Sequence, residues 1–156
     1  MDAPCKVYVW NRLFSPGHIA LELPNKIYIS FWPRPKGKKS VFNASGTLYE
    51  KFSEETKVNG RPSRTLLVQD LNVQEIILWW AEFCCDENKW DLTALNCSDV
   101  VFHALCAGSH WFKDKTGTFL PNTPAKVAGL VDKYIKEQQQ HQKDRKNSSE
   151  SNCTIQ

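Results

Sequence analysis

The chain has 156 residues, 41% of them hydrophobic and 12% aromatic, which suffices for one domain with one core. Its 20 basic and 17 acidic residues leave a net charge of +3, too even a balance for a nucleic-acid binder, so any basic function has to come from local clusters. The longest apolar stretch, Ile76-Ile77-Leu78-Trp79-Trp80-Ala81, falls far short of the roughly 20 residues that cross a bilayer, and no apolar signal segment follows Met1.

Lys6-Val7-Tyr8-Val9-Trp10 is rich in β-branched and aromatic residues and reads as a strand, followed by a turn at Ser15-Pro16-Gly17. From His18 to Leu23 the residues alternate, so His18, Ala20 and Glu22 share one face of a second strand and Ile19, Leu21 and Leu23 the other. Pro24-Asn25 turns the chain into a third strand, Lys26 to Trp32, ended by Pro33. Pairing these two strands as a hairpin brings His18 and Ser30 near one another. Arg34 to Lys39 reads as a basic loop broken by Pro35 and Gly37, and residues 40–63, polar with scattered aromatics, as a segment of little order. Thr65 to Val68 is another short strand, and Asp70 or Asn72 caps a helix over 73–85 whose apolar bulk is Trp79, Trp80 and Phe83.

A second helix is predicted to begin at Asn96 and to end near Gly108 in a left-handed cap, with His110 in the loop beyond. Thr123-Pro124 starts a third, with Val127, Leu130, Val131, Tyr134 and Ile135 at helical spacing. The domain is thus placed at residues 1–136, and residues 137–156 are read as a flexible polar tail. The fold class is α+β, a small antiparallel sheet packed against the helix that carries Cys97, plus two or three further helices.

Cys97 is the residue that points to chemistry. With Asn96 as the N-cap, the thiol sits in the first helical turn, where unpaired backbone N–H groups and the helix dipole favour a thiolate. Val101 and Ala104 lie on the same stripe and are compact enough for that face to press against a sheet, from which a base such as His18 would come. The alternative at Cys97 is a buried, inert cysteine. The six cysteines form no Cys-x-x-Cys pair and read as reduced, intracellular thiols. Cys106, His103, His110 and Cys84-Cys85 lack the spacing of a zinc site, His103 lies about 240° round the helix from Cys97, and no metal or organic cofactor is implied.

Gly17-His18-Ile19-Ala20-Leu21-Glu22-Leu23 after Arg12, then Tyr28-Ile29-Ser30-Phe31-Trp32-Pro33, and much later Asn96-Cys97-Ser98-Asp99, resemble the circularly permuted papain-like thiol enzymes. That group includes lecithin retinol acyltransferase and the phospholipase A and acyltransferase proteins, and the strand block is also similar to papain-like domains of bacterial toxins. The resemblance implies a permuted papain-like fold, with His18 as base, Cys97 as nucleophile, the Cys97 backbone N–H at the oxyanion, and Ser30, twelve residues after His18, as the polar residue orienting the imidazole. The lipid enzymes carry a histidine where Ser30 stands, and a Glu-His after the cysteine where this chain has Ser98-Asp99. The activity implied is a thiol peptidase or amidohydrolase working through a thioester. A phospholipid acyl hydrolase or N-acyltransferase, and a binding module that has lost activity, are the alternatives. Cys97→Ala and His18→Ala are each expected to abolish turnover with thermal stability near wild type.

Cys153-Thr154-Ile155-Gln156 fits a Cys-aliphatic-aliphatic-X box of the farnesylated type, which implies a prenyltransferase as partner and attachment to the cytosolic face of a membrane. One lipid chain binds weakly, and Lys143, Arg145 and Lys146, with Arg34, Lys36, Lys38 and Lys39, would add attraction to anionic lipid. In protein from eukaryotic cells, mass spectrometry is expected to find a farnesyl thioether on Cys153; an unmodified Cys153 removes the membrane claim.

Overall fold

A computed structural model of the chain describes residues 3–11, 17–34, 44–86, 89–91, 94–115 and 122–151. It is α+β. Strands β1 (Cys5–Trp10), β2 (His18–Glu22), β3 (Tyr28–Ile29) and β6 (Arg64–Val68) form an antiparallel sheet in the order β3-β2-β1-β6. Strands β4 (Phe31–Arg34), β5 (Ala44–Leu48) and β7 (Lys89–Trp90) form a second sheet in the order β4-β5-β7. The helices are α1 (Phe52–Asn59), α2 (Val73–Cys85), α3 (Cys97–Gly108), α4 (His110–Lys113) and α5 (Pro124–Ser151).

Alternation along β1 and β2 creates two unlike faces. Cys5, Val7, Val9, Ile19 and Leu21 join the main core with residues of α2, α3 and α5, while Tyr8, Trp10 and Ala20 pack with Tyr28 on the opposite face, against Tyr49 and Phe52. Helix α3 is buried along most of its length through Val100, Val101, Phe102, Ala104 and Leu105. Each of the valine, leucine and phenylalanine side chains removed from water stabilises the fold by about 1.5–3 kcal/mol.

Several expectations change. The segment predicted as one strand over 26–32 is two: β3 pairs with β2 in the first sheet, β4 pairs with β5 in the second, and Ser30 sits where the chain switches sheets. Pro33 does not end the strand, because it lies in β4 at the edge of its sheet, where a missing N–H is tolerated. Of the segment 40–63, residues 44–63 are described, and they carry β5 and α1. Asn72, not Asp70, caps α2, its side chain accepting from the Glu75 N–H at 3.3 Å.

Gly108 is the last residue of α3, and Ser109 follows in extended conformation, so no left-handed cap forms. The glycine is there for space: a Cβ on it would lie 2.6 Å from Ile76 Cδ1. His110 opens α4 rather than lying in a loop.

Helix α5 runs on to Ser151, past the boundary drawn at 136. Its apolar stripe ends near Ile135, but the polar extension contains strong helix formers and neither proline nor glycine. Lys133–Glu137 and Gln140–Asp144 pairs brace successive turns. Among the described residues no helix is long and apolar enough to cross a membrane.

Gly17, just before β2, has φ +76, and a Cβ there would meet the Trp10 carbonyl oxygen at 2.6 Å. Gly17→Ala is therefore expected to lower the free energy of unfolding in urea by about 1–3 kcal/mol; an unchanged midpoint would contradict the stated need for glycine.

Candidate functional site

The nucleophile candidate is fixed by its helix start. Asn96 caps α3 by accepting from the Ser98 N–H at 2.8 Å and the Asp99 N–H at 3.3 Å, while Asp99 Oδ2 accepts from the Asn96 N–H at 2.9 Å. Asn122, just ahead of α5, locks this capping box: its carbonyl accepts from Asn96 Nδ2 at 3.2 Å and its own Nδ2 donates to Asp99 Oδ1 at 2.6 Å. The result is a first helical turn with little freedom, and Cys97 stands on it.

His18 is the first residue of β2, paired with Trp10 of β1. Its ring and the Cys97 sulfur are near enough for each to favour the other's charged form, so the strand and the helix that carry the two groups meet at this end of the sheet. Its Nε2 lies 3.1 Å from Ser30 Oγ and 2.8 Å from Glu55 Oε1. Trp32 stacks on the imidazole at 4.1 Å between centroids, and Trp10 lies tilted at 5.3 Å.

Glu55, from α1, was not expected; it falls in the segment read as having little order. It is 0% exposed, and besides His18 it accepts from the Tyr28 hydroxyl and from Trp32 Nε1, each at 2.5 Å. Tyr28, Ser30 and Trp32 therefore stand on one side of the chain at a period of two, and all three touch either His18 or Glu55. The sequence carries one trace of this: Tyr and Trp tips repeated on the buried side of a strand need a polar partner.

The electrostatics follow from this chain of contacts. Burial alone would lower the His18 pKa, but the Cys97 thiolate and the Glu55 carboxylate raise it to about 9. Burial alone would raise Cys97, yet the imidazolium, the Ile19 backbone N–H and the Ser98 hydroxyl, 3.9 Å from the sulfur, hold it below the usual thiol value. Glu55 is likewise lowered: burial opposes ionisation, but hydrogen bonds from His18, Tyr28 and Trp32 outweigh it. Burial and the neighbouring carboxylate keep the Tyr28 phenol protonated. Cys5 and Cys106, by contrast, are pushed up to about 11 by burial.

His18 and Cys97 are 1% and 7% exposed, so the pair is shielded from water while a trace of the cysteine stays accessible. Because Glu55 is sealed in, His18→Ala leaves a buried carboxylate without its cation. The expectation of near wild-type stability for that variant is thereby replaced by a loss of about 3–5 kcal/mol. Arg12, Lys36, Lys38, Lys39 and Cys153 lie outside the described residues, and Arg34 is in β4. Among the described residues no group of three or more His, Cys, Asp or Glu is arranged to hold a metal ion.

No family model, curated protein or solved structure matches the chain.

The signs of these shifts set a pH window. The raised His18 contributes stability that is complete below 6.5 and is lost as pH rises through about 9. The lowered Cys97 and Glu55 contribute stability that is complete above their ordinary values of 9.0 and 4.5 and is lost as pH falls through their depressed ones. The thiolate is therefore favoured at lower pH than in an ordinary cysteine. Alkylation by iodoacetamide, followed peptide by peptide, is expected to vary less than about threefold at Cys97 between pH 6.5 and 8.5, while Cys84, whose pKa is raised, slows about tenfold per unit. A Cys97 rate that falls in step with Cys84 would show an uncharged pair.

Proposed function

We propose that the chain is a cysteine-nucleophile hydrolase of permuted papain-like type, cleaving an amide or peptide bond through a thioester. What supports this reading is the nearness of Cys97, at the start of α3, to a His18 imidazole whose Nε2 faces a buried carboxylate at 2.8 Å. A thiol becomes a competent nucleophile where a helix start and a cation stabilise its anion, and both are present.

In the proposed reaction the Cys97 thiolate attacks the carbonyl carbon and a C–S bond forms. The Cys97 backbone N–H, in the first turn fixed by Asn96 and Asp99, donates to the oxyanion. His18 then gives a proton to the leaving amine as the C–N bond breaks. Neutral His18 next takes a proton from water, hydroxide attacks the thioester carbonyl, and the thiolate leaves with the imidazolium restored. An amide suits the site because an amine leaves only when protonated, and Cys97 and Glu55 both hold His18 in its acid form. Ser30 assists by a neutral hydrogen bond.

Peptide libraries and phospholipid vesicles offered to the same purified protein test the reading. Peptide cleavage is expected, with accumulation of an acyl adduct on Cys97 when an activated acyl probe is supplied. Cys97→Ala is expected to lose at least about 10³-fold in rate while melting within a few degrees of wild type. Lipid acyl release without peptide cleavage would move the substrate to phospholipid, and cleavage that survives Cys97→Ala would end the proposal.

A further inference from the structure

Helix α1 is held to the rest of the molecule in an unusual way. An eight-residue helix is too short to be stable alone in water, and surface helices ordinarily dock through an apolar stripe. In α1 the one fully buried side chain is Glu55, and it is charged. Phe52 is half-buried, stacked on Tyr8 at 4.2 Å and edge-on to Tyr28, while Val58 is 46% exposed. Lys51, at the N-cap, supplies no side-chain hydrogen bond. Past the C-terminus the Gly60 carbonyl accepts from Trp10 Nε1 at 2.9 Å. The inner face of the helix is thus pinned by what Glu55 accepts: Tyr28, Trp32 and His18.

We propose that Glu55 is the positioning residue for His18, and that the docking of α1 and the charging of the Cys97–His18 pair are one coupled equilibrium. With α1 in place, Nε2 faces a carboxylate at 2.8 Å, a charge-assisted bond stronger than the 3.1 Å contact with the neutral Ser30 hydroxyl. With α1 displaced, the Cys97 thiolate is the one anion of this cluster left beside the imidazole, with Ser30 and the indoles of Trp10 and Trp32 as neutral neighbours. The imidazolium is then held less firmly against the cost of burial, and the thiolate loses part of the positive charge that stabilises it. The ionisable groups facing this pair are Cys97 from α3, Glu55 from α1 and Tyr28 from β3, with Glu22 of β2 and Tyr8 of β1 acting on Tyr28 from behind. Coupling is reciprocal, so whatever discharges His18 loosens α1 to the same extent. The inference rests on the proposed hydrolase only for its consequence, the arming of the nucleophile.

Two measurements test it. In Glu55→Gln, which keeps shape and an acceptor oxygen, Cys97 alkylation by iodoacetamide is expected to be at least about tenfold slower than wild type at pH 6.5 and to approach wild type by pH 9.5, the profile of an ordinary thiol. In Cys97→Ser, which removes the thiolate without touching α1, amide hydrogen exchange at residues 56–60 is expected to quicken about tenfold or more while exchange within α3 stays at the wild-type rate. This second variant decides the matter should Glu55→Gln fail to fold. A wild-type alkylation profile in Glu55→Gln, or unchanged α1 exchange in Cys97→Ser, overturns the coupling. If both effects are seen and the wild-type protein cleaves neither peptide nor lipid, the hydrolase reading falls and the coupling stands.

Discussion

A carboxylate with no access to water has to find its partners inside the protein, and Glu55 finds three of them on three different elements. The need to satisfy that one charge accounts for much of the local architecture. The chain between β3 and β4 leaves one sheet and enters another without breaking its alternation, so Tyr28 and Trp32, which belong to different sheets, both reach the same carboxylate. Ile29 and Phe31, which point the other way, enter the main core. A one-residue slip here would bury two polar tips among aliphatic side chains and turn Ile29 and Phe31 toward the carboxylate.

The same constraint explains how His18 is reached from both sides of one sheet. Helix α3 packs on the aliphatic face, with Val100, Val101 and Leu105 in the core, and α1 lies over the aromatic face with its Phe52 stacked on Tyr8. A residue in the middle of β2 is confined to one face, but His18 is the first residue of the strand. Its ring can therefore accept contacts from a helix below and a helix above. Gly17 serves this placement: its positive φ and missing Cβ let the chain turn against the Trp10 carbonyl immediately before the histidine.

How much of this is legible in the sequence depends on how local each signal is. The first turn of α3 is readable because a capping box is written within four consecutive residues, Asn96 to Asp99, and the faces of β2 are readable because alternation is local. The nearness of His18 to Ser30 follows from a short hairpin. Glu55 is not readable in that way. Lys51 to Gly60 has the composition of a surface segment, and nothing within it announces that the second of two adjacent glutamates turns inward while Glu54 stays exposed. The information lies in Tyr28 and Trp32, more than twenty residues upstream, and becomes meaningful only once the sheets are assembled. Asn122 is hidden for the same reason, since its partners Asn96 and Asp99 are remote in sequence. The polar end of α5 differs again: absence of an apolar stripe argues against packing, which is distinct from arguing against helix.

A buried cluster of ionisable groups is a poor device for stability, because desolvating each charge costs several kcal/mol and well-packed apolar residues of similar volume commonly serve the fold as well or better. This cluster nevertheless has directionality. The carboxylate faces Nε2 of the imidazole, and negative charge on Glu55 favours positive charge on His18, which in turn favours negative charge on Cys97. Cys5 and Cys106 show what burial does without such neighbours, since both are driven away from the thiolate form. The contrast between them and Cys97 within one small domain is what the proposed nucleophile rests on electrostatically. It also answers the weakness of Ser30: a hydroxyl alone brings no charge to the imidazole, and the charge comes instead from α1.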